Sequence, residues 1–190
     1  MHFIWTNWRK TEEEMVIHGV PVVIEQEDLS FDDGIRVLTA VPLIVINANE
    51  ESIGTLTDNL IAPGTRGLLF SSRLRQVLMG EGVDNIDYYP TKIIGLGSGI
   101  SNEDYQLANI VGRIRCVDFA ASDIDMHPDF PDTIEFINAL ALDENRIEES
   151  LMFRLAEHCQ VIVVHERVKA ACERAGITGI QFFQPSDFSF

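Results

Sequence analysis

Four side chains with metal-ligating chemistry stand in one short stretch: Asp123, Asp125, His127 and Asp129. They alternate with other residues, so an extended backbone would point all four to one side. Three carboxylates and an imidazole form an oxygen-rich set of the kind that holds a divalent cation. One reading of the chain follows from that set: a small metal-dependent hydrolase or metal-binding protein using the 123–129 loop. The stretch lacks the turn glycine and closing glutamate of a calcium-binding loop. Pro128 and Pro131 favour an exposed, irregular segment instead. A solvated acidic loop is the preferred reading, and no metal or cofactor is assigned.

Other candidate chemistry is thinner. Gly95, Gly97 and Gly99 follow a strand-like run, as a dinucleotide loop would. That fingerprint needs its third glycine at position 100, which is Ile100, and a helix after it. The continuation reads as strand, so a hairpin loop is expected. No Gly-x-Ser-x-Gly nucleophile elbow occurs. The cysteines Cys116, Cys159 and Cys172 are odd in number and form no Cys-x-x-Cys, which favours reduced, buried thiols. His2, His18 and His158 read as structural or surface residues, and His165 as a residue at a helix start. No spacing in the chain demands an enzyme.

The elements that would carry these residues are mostly strands. Strands are expected at 20–24, 43–46, 67–70, 86–94, 105–111, 114–119 and 179–183. Residues 151–155 and 161–164 read as an adjacent pair. Helices are expected at 71–79, capped by Ser71 or Ser72, and at 166–175, closed by Gly176. On the second helix Val168, Ala171, Cys172 and Ala175 share one face. Residues 121–132 read as a polar loop, and 136–142 as strand or helix. Neither repeat nor linker breaks the chain. The expectation is one α+β domain over 1–190, with a mixed or antiparallel sheet and a few packed helices.

Charge narrows the function classes. The 190 residues hold 14 Lys+Arg against 30 Asp+Glu, a net charge of −16, and are 46% hydrophobic. That apolar content supports a folded core. The acidity argues against direct nucleic-acid binding, which needs excess Lys and Arg. No long apolar run suggests a membrane span, and the N-terminal residues do not read as a secretory signal, so a cytoplasmic location is expected. Residues 1–60 and 121–190 each carry a net −8, whereas 61–120 balance. Such acidic ends speed encounter with a basic partner. Trp5 and Trp8 either anchor the N-terminus or mark a binding patch.

Three groups of residues carry a family resemblance. The first is Arg73-Leu74-Arg75-Gln76-Val77-Leu78 followed by Asp84-Asn85-Ile86-Asp87-Tyr88-Tyr89-Pro90. The second is Tyr105-Gln106-Leu107-Ala108-Asn109-Ile110-Val111, then Cys116-Val117-Asp118 and Ser122. The third joins Leu151-Met152-Phe153-Arg154-Leu155, Val161-Ile162-Val163-Val164-His165-Glu166-Arg167 and Ala175-Gly176-Ile177-Thr178-Gly179-Ile180-Gln181-Phe182. Together they resemble immunity-protein family eleven of the bacterial polymorphic toxin systems, first described from myxobacterial sequences. His165 stands where that family's pattern has a serine. The likeness covers a core of 67–184, and the acidic segment 1–60 shows no family motif.

The resemblance implies an α+β protein that neutralises a cognate toxin by binding it, without catalysis. The matched residues themselves read as determinants of fold. The acidity fits a basic toxin, and the candidate contacts are Glu12, Glu13, Glu14, Glu25, Glu27, Asp28, Asp32 and Asp33. Self-association through exposed apolar residues is a third reading.

Overall fold

Valine and isoleucine fill every position from 161 to 164, the pattern of a strand covered on both faces. The computed structural model describes residues 1–8, 11–96 and 100–190 and is dominated by such strands. In chain order the elements are β1 (His2–Thr6), α1 (Val22–Gln26), β2 (Ile44–Asn47), β3 (Asn59–Leu60), β4 (Leu68–Phe70), α2 (Ser72–Gly80) and β5 (Ile86–Leu96). Then come β6 (Ile100–Asn102), β7 (Gln106–Ile110), β8 (Arg113–Ile114), β9 (Asp123–Met126) and β10 (Ile134–Ala139). The chain continues through β11 (Met152–Leu155), β12 (His158–His165), α3 (Glu166–Ala175) and β13 (Gln181–Phe183). The class is α+β, with few helices and mostly antiparallel pairing.

One sheet runs β13-β1-β12-β11-β8, and a second runs β2-β5-β7-β4-β3 with β6 on β5. The β11–β8 and β2–β5 pairs are parallel. A separate two-stranded ribbon joins β9 to β10. The two-residue alternation of strands divides the apolar residues among three cores. From β12, Ile162 and Val164 enter one core with Trp5, Phe70, Leu74 and Val168, while Val161 and Val163 enter another with Ile4, Ile137 and Phe153. In β4, Leu68 and Phe70 face the first core, and Leu69 turns to a third with Ile17, Phe31, Ile46 and Leu107. The first sixty residues are woven into this frame. β1 lies inside the first sheet, β2 flanks the second, and Met15, Ile17, Ile24 and Phe31 cover the second sheet's outer face.

Both long helices start and stop as the sequence indicates. The Ser71 hydroxyl accepts from the Leu74 N–H at 3.1 Å, and Leu74 and Leu78 are buried. On α3, Gly176 adopts φ 63°, the left-handed cap that glycine tolerates. The hairpin expected around Gly95 is present, with β5 and β6 antiparallel, although 97–99 lie outside the described residues. The pairing of β11 with β12 is likewise antiparallel.

Three expectations fail for local reasons. Residues 20–24 are not a strand: Pro21 caps α1 at φ −65°. Pro21 and Ile24 are the buried positions while Val22 is exposed, which is helical rather than alternating spacing. Residues 114–119 leave the sheet after Ile114, and only Val117 makes an isolated bridge, to Leu142. Residues 121–132 are not all loop, since β9 pairs with β10 and thereby settles the ambiguous 136–142 segment as partly strand. The half-buried Ile124 and buried Ile137, which face each other across that ribbon, supply the apolar side that the carboxylates obscure in the sequence.

The α3 cap carries a pH dependence. His165 Nδ1 accepts from the Arg167 N–H at 3.2 Å. Desolvation, the neighbouring His2 and the Met1 amine hold the His165 imidazole below its usual value of 6.5, against Glu166 and Glu144. Burial does the same to His158. In the unfolded chain both take protons near 6.5, so below that pH the unfolded state binds more. Their contribution is therefore complete above about 6.5 and lost as pH falls through the lower folded values. The melting temperature should drop from pH 7 to pH 5. His165→Ser keeps a capping oxygen and should make that drop shallower; an unchanged slope would exclude His165 as a contributor.

Candidate partner-binding surface

The acidic residues sit on two separately anchored segments. In the first, Glu12 and Glu13 are exposed and Glu14 is half-buried. Backbone fixes this stretch: Glu14 bridges Thr55 in parallel, and the Thr55 N–H donates to the Glu13 carbonyl at 2.7 Å. The second segment begins on α1, where Glu25 and Glu27 at its end face solvent while Ile24 is buried beneath them. Glu13, Glu25 and Glu27 make no ion pair among the described residues.

Further along, the carboxylates have internal work. Asp28 takes φ 46°, which aspartate tolerates in turns, and Arg66 Nη1 donates to its Oδ1 at 2.9 Å. Asp32 Oδ1 accepts from the Ser30 hydroxyl at 2.7 Å. Asp33 Oδ1 accepts from the Ile35 N–H at 3.0 Å. Three side chains of the frame hold the backbone here. Arg154 Nη2 donates to the Phe31 carbonyl at 3.3 Å, Arg113 Nε to the Asp33 carbonyl, and Asn109 Nδ2 to the Ile35 carbonyl at 2.8 Å. Residues 31–35 are thus pinned to β11, to β8 and to β7.

Arg154 is the least expected member of this group. It is only 2% exposed, in a strand otherwise apolar. Burial lowers its pKa to about 10, against the opposing fields of Asp32, the Cys159 thiol and Asp33. The Arg inside "Phe-Arg-Leu" is the one sequence signal that points to it. A second hub was not legible: Asp58 is 8% exposed and accepts from Ser71, Arg73 and Thr178.

The 123–129 residues do not converge as a metal site. Asp123 and Asp125 are exposed on β9. His127 turns back, its Nδ1 accepting from the Asp129 N–H at 3.1 Å and its ring packing on Phe130. Among the described residues no three His, Cys, Asp or Glu side chains are placed to hold a metal ion. Extension stops at Met126, so the alternation never becomes one face. The buried thiols of Cys116 and Cys172 are pushed up to about 12 by desolvation, so both stay protonated at neutral pH. Cys159 is half-buried and also free.

The arrangement is therefore an α+β frame presenting outward carboxylates on pinned backbone. Compared with known families, residues 7–187 match the Immunity protein family (Imm11), and the chain belongs to that family. The match begins far ahead of residue 67, so the acidic N-terminal segment is part of the family's extent. Membership points to an immunity role, with a toxin as the general class of partner. No curated protein matches the chain. No helix among the described residues is long and apolar enough to cross a membrane.

Proposed function

We propose that this protein neutralises a cognate toxin by binding it, without catalysing a reaction, as a single cytoplasmic domain. The contact surface is formed by Glu12, Glu13, Glu14, Glu25, Glu27, Asp28, Asp32 and Asp33, and it faces a basic region of the toxin. The observation that carries this reading is the pairing of exposed carboxylates with fixed backbone. Glu13, Glu25 and Glu27 reach solvent from segments that the frame already holds. Pre-ordered segments bind without a large ordering cost. Acidic clusters of one sign raise the rate of encounter with an opposite surface. Membership of an immunity family supplies the toxin.

The test joins survival to kinetics. The toxin encoded beside this gene is expressed with and without the protein, and the complex is purified. Wild type should rescue growth. The triple variant Glu13→Lys, Glu25→Lys, Glu27→Lys should fold normally, because all three side chains are exposed. Its association rate with the toxin should fall by about tenfold or more at low salt, with a weakened salt dependence. Rescue with an unchanged association rate would place the interface elsewhere. Absence of both rescue and complex would remove toxin neutralisation itself.

A further inference from the structure

A cleft of about 330 Å³ opens where the three apolar cores meet. Trp5, Leu68 and Ile162 reach it from one core, Ala62 from the second, and Val161 and Phe188 from the third. Trp5 on β1 and Arg154 on β11 are both register partners of Ile162 on β12, so the three form one row on one face of the sheet. At the mouth Trp8 stacks on Phe188, with ring centroids 5.6 Å apart, and both Trp8 and Phe190 are partly exposed.

Three polar groups of the lining are buried without a partner. Arg154 Nη1 donates to the Cys159 carbonyl at 2.8 Å and Nη2 to the Phe31 carbonyl, but Nε has no partner. Its charge is buried against neutral carbonyls, and no carboxylate of the described residues forms an ion pair with it. Trp5 Nε1 and the Thr6 hydroxyl are also buried without partners. Indole and guanidinium nitrogens can only donate, so what satisfies them must bring acceptors. Among the charged side chains of the lining, Arg66 and Arg154 outnumber Asp32. Arg66 is already paired with Asp28, which leaves Arg154 as the cation of the lining without a carboxylate partner among the described residues.

We propose that the cleft binds a carboxylate carried on an apolar body, with the body against Trp5, Trp8 and Phe188 and the carboxylate toward Arg154. A free aromatic acid and the C-terminal residue of a peptide share this chemistry. Binding here requires no toxin, and the cleft borders the acidic segment at Asp32.

Both tryptophans of the chain line the cleft, so intrinsic fluorescence reads its occupancy. The full-length protein is titrated with N-acetyl-phenylalanine, with its uncharged amide, and with the tripeptide Gly-Gly-Phe bearing a free C-terminus. The acid should give a saturable change, and the amide should bind at least tenfold more weakly. Trp8→Ala alters only the mouth, leaves Trp5 as reporter, and should weaken the acid at least fivefold. Tighter binding of the tripeptide than of the free acid would identify a peptide end as the ligand, and the opposite order a small acid. Because Arg154 also holds Phe31, the decisive comparison is acid against amide on the unaltered chain. No saturable change with either carboxylate probe, or equal binding of acid and amide, would overturn the proposal.

Discussion

Asp58→Ala should destabilise the protein by about 3 kcal/mol, the lower end of what breaking a buried ionic cluster costs. The carboxylate gathers parts of the chain that are far apart in sequence. Ser71 Oγ donates to Oδ1 at 2.8 Å. Arg73 Nη1 donates to Oδ2 at 3.0 Å, as do the Thr178 N–H at 2.9 Å and the Thr178 hydroxyl at 3.0 Å. Arg73 also reaches the Ala175 and Gly176 carbonyls at the end of α3. One buried side chain thus ties β3 to the start of α2 and to the turn after α3. Arg73 is half-exposed and can turn to water, so its share is discounted. Ser71, buried beside Asp58, has no such recourse, whereas the exposed Thr178 contributes less. Asp58→Asn keeps one acceptor oxygen and should cost less, and Thr178→Val about 1–2 kcal/mol. Urea unfolding with an unchanged m-value measures all three. A shift below about 1 kcal/mol for Asp58→Ala would show that the cluster is dispensable.

This hub also shows what the sequence could disclose. Period and caps were legible: α3 runs from Glu166 to Ala175, and the β11–β12 pair pairs as its apolar runs suggest. Local chemistry dominates there, since each element carries its own start, stop and buried face. Asp58 was not legible, because an aspartate in a polar stretch looks the same whether it faces water or Thr178. Residues 20–24 misled for a related reason. Valine and isoleucine favour strands, but Pro21 and the single buried Ile24 made one helical turn the better packing. The alternating Asp123, Asp125, His127 and Asp129 had the right types and no shared face, because the ribbon ends before His127. The polar residues of the resemblance prove architectural. Asn85 bonds the Val111 and Met152 carbonyls, Arg154 holds Phe31, and Arg167 pairs with Glu81. They fix a frame, whereas the proposed partner surface rests on residues whose only signature is charge and exposure.

Gly179→Ala should have the larger effect of two glycine substitutions three residues apart. Gly176 and Gly179 both take positive φ, 63° and 74°. An alanine at either pays the left-handed strain, about 1 kcal/mol. Their surroundings then separate them. A Cβ at Gly176 would meet nothing nearer than Arg73 Nη2 at 3.5 Å, an ordinary contact with a side chain that can move. At Gly179 it would lie 2.3 Å from the Asn59 carbonyl oxygen and 2.6 Å from Thr57 Oγ1. Asn59 cannot withdraw, since β3 is paired to β4, and its N–H is already bonded to the Thr178 carbonyl. Thr57 is itself buried and donates to that same Asn59 oxygen at 2.9 Å. The clash therefore propagates into the Asp58 cluster. The expected loss for Gly179→Ala exceeds about 4 kcal/mol, beyond the ordinary range for one substitution, and should appear as an unfolded or insoluble chain. Gly176→Ala should stay folded and lose about 1 kcal/mol. Equal, small losses at both positions, measured by urea unfolding, would mean that the turn after α3 can move away from β3. The tie between the C-terminal motif and the Asp58 cluster would then be far looser than its hydrogen bonds imply.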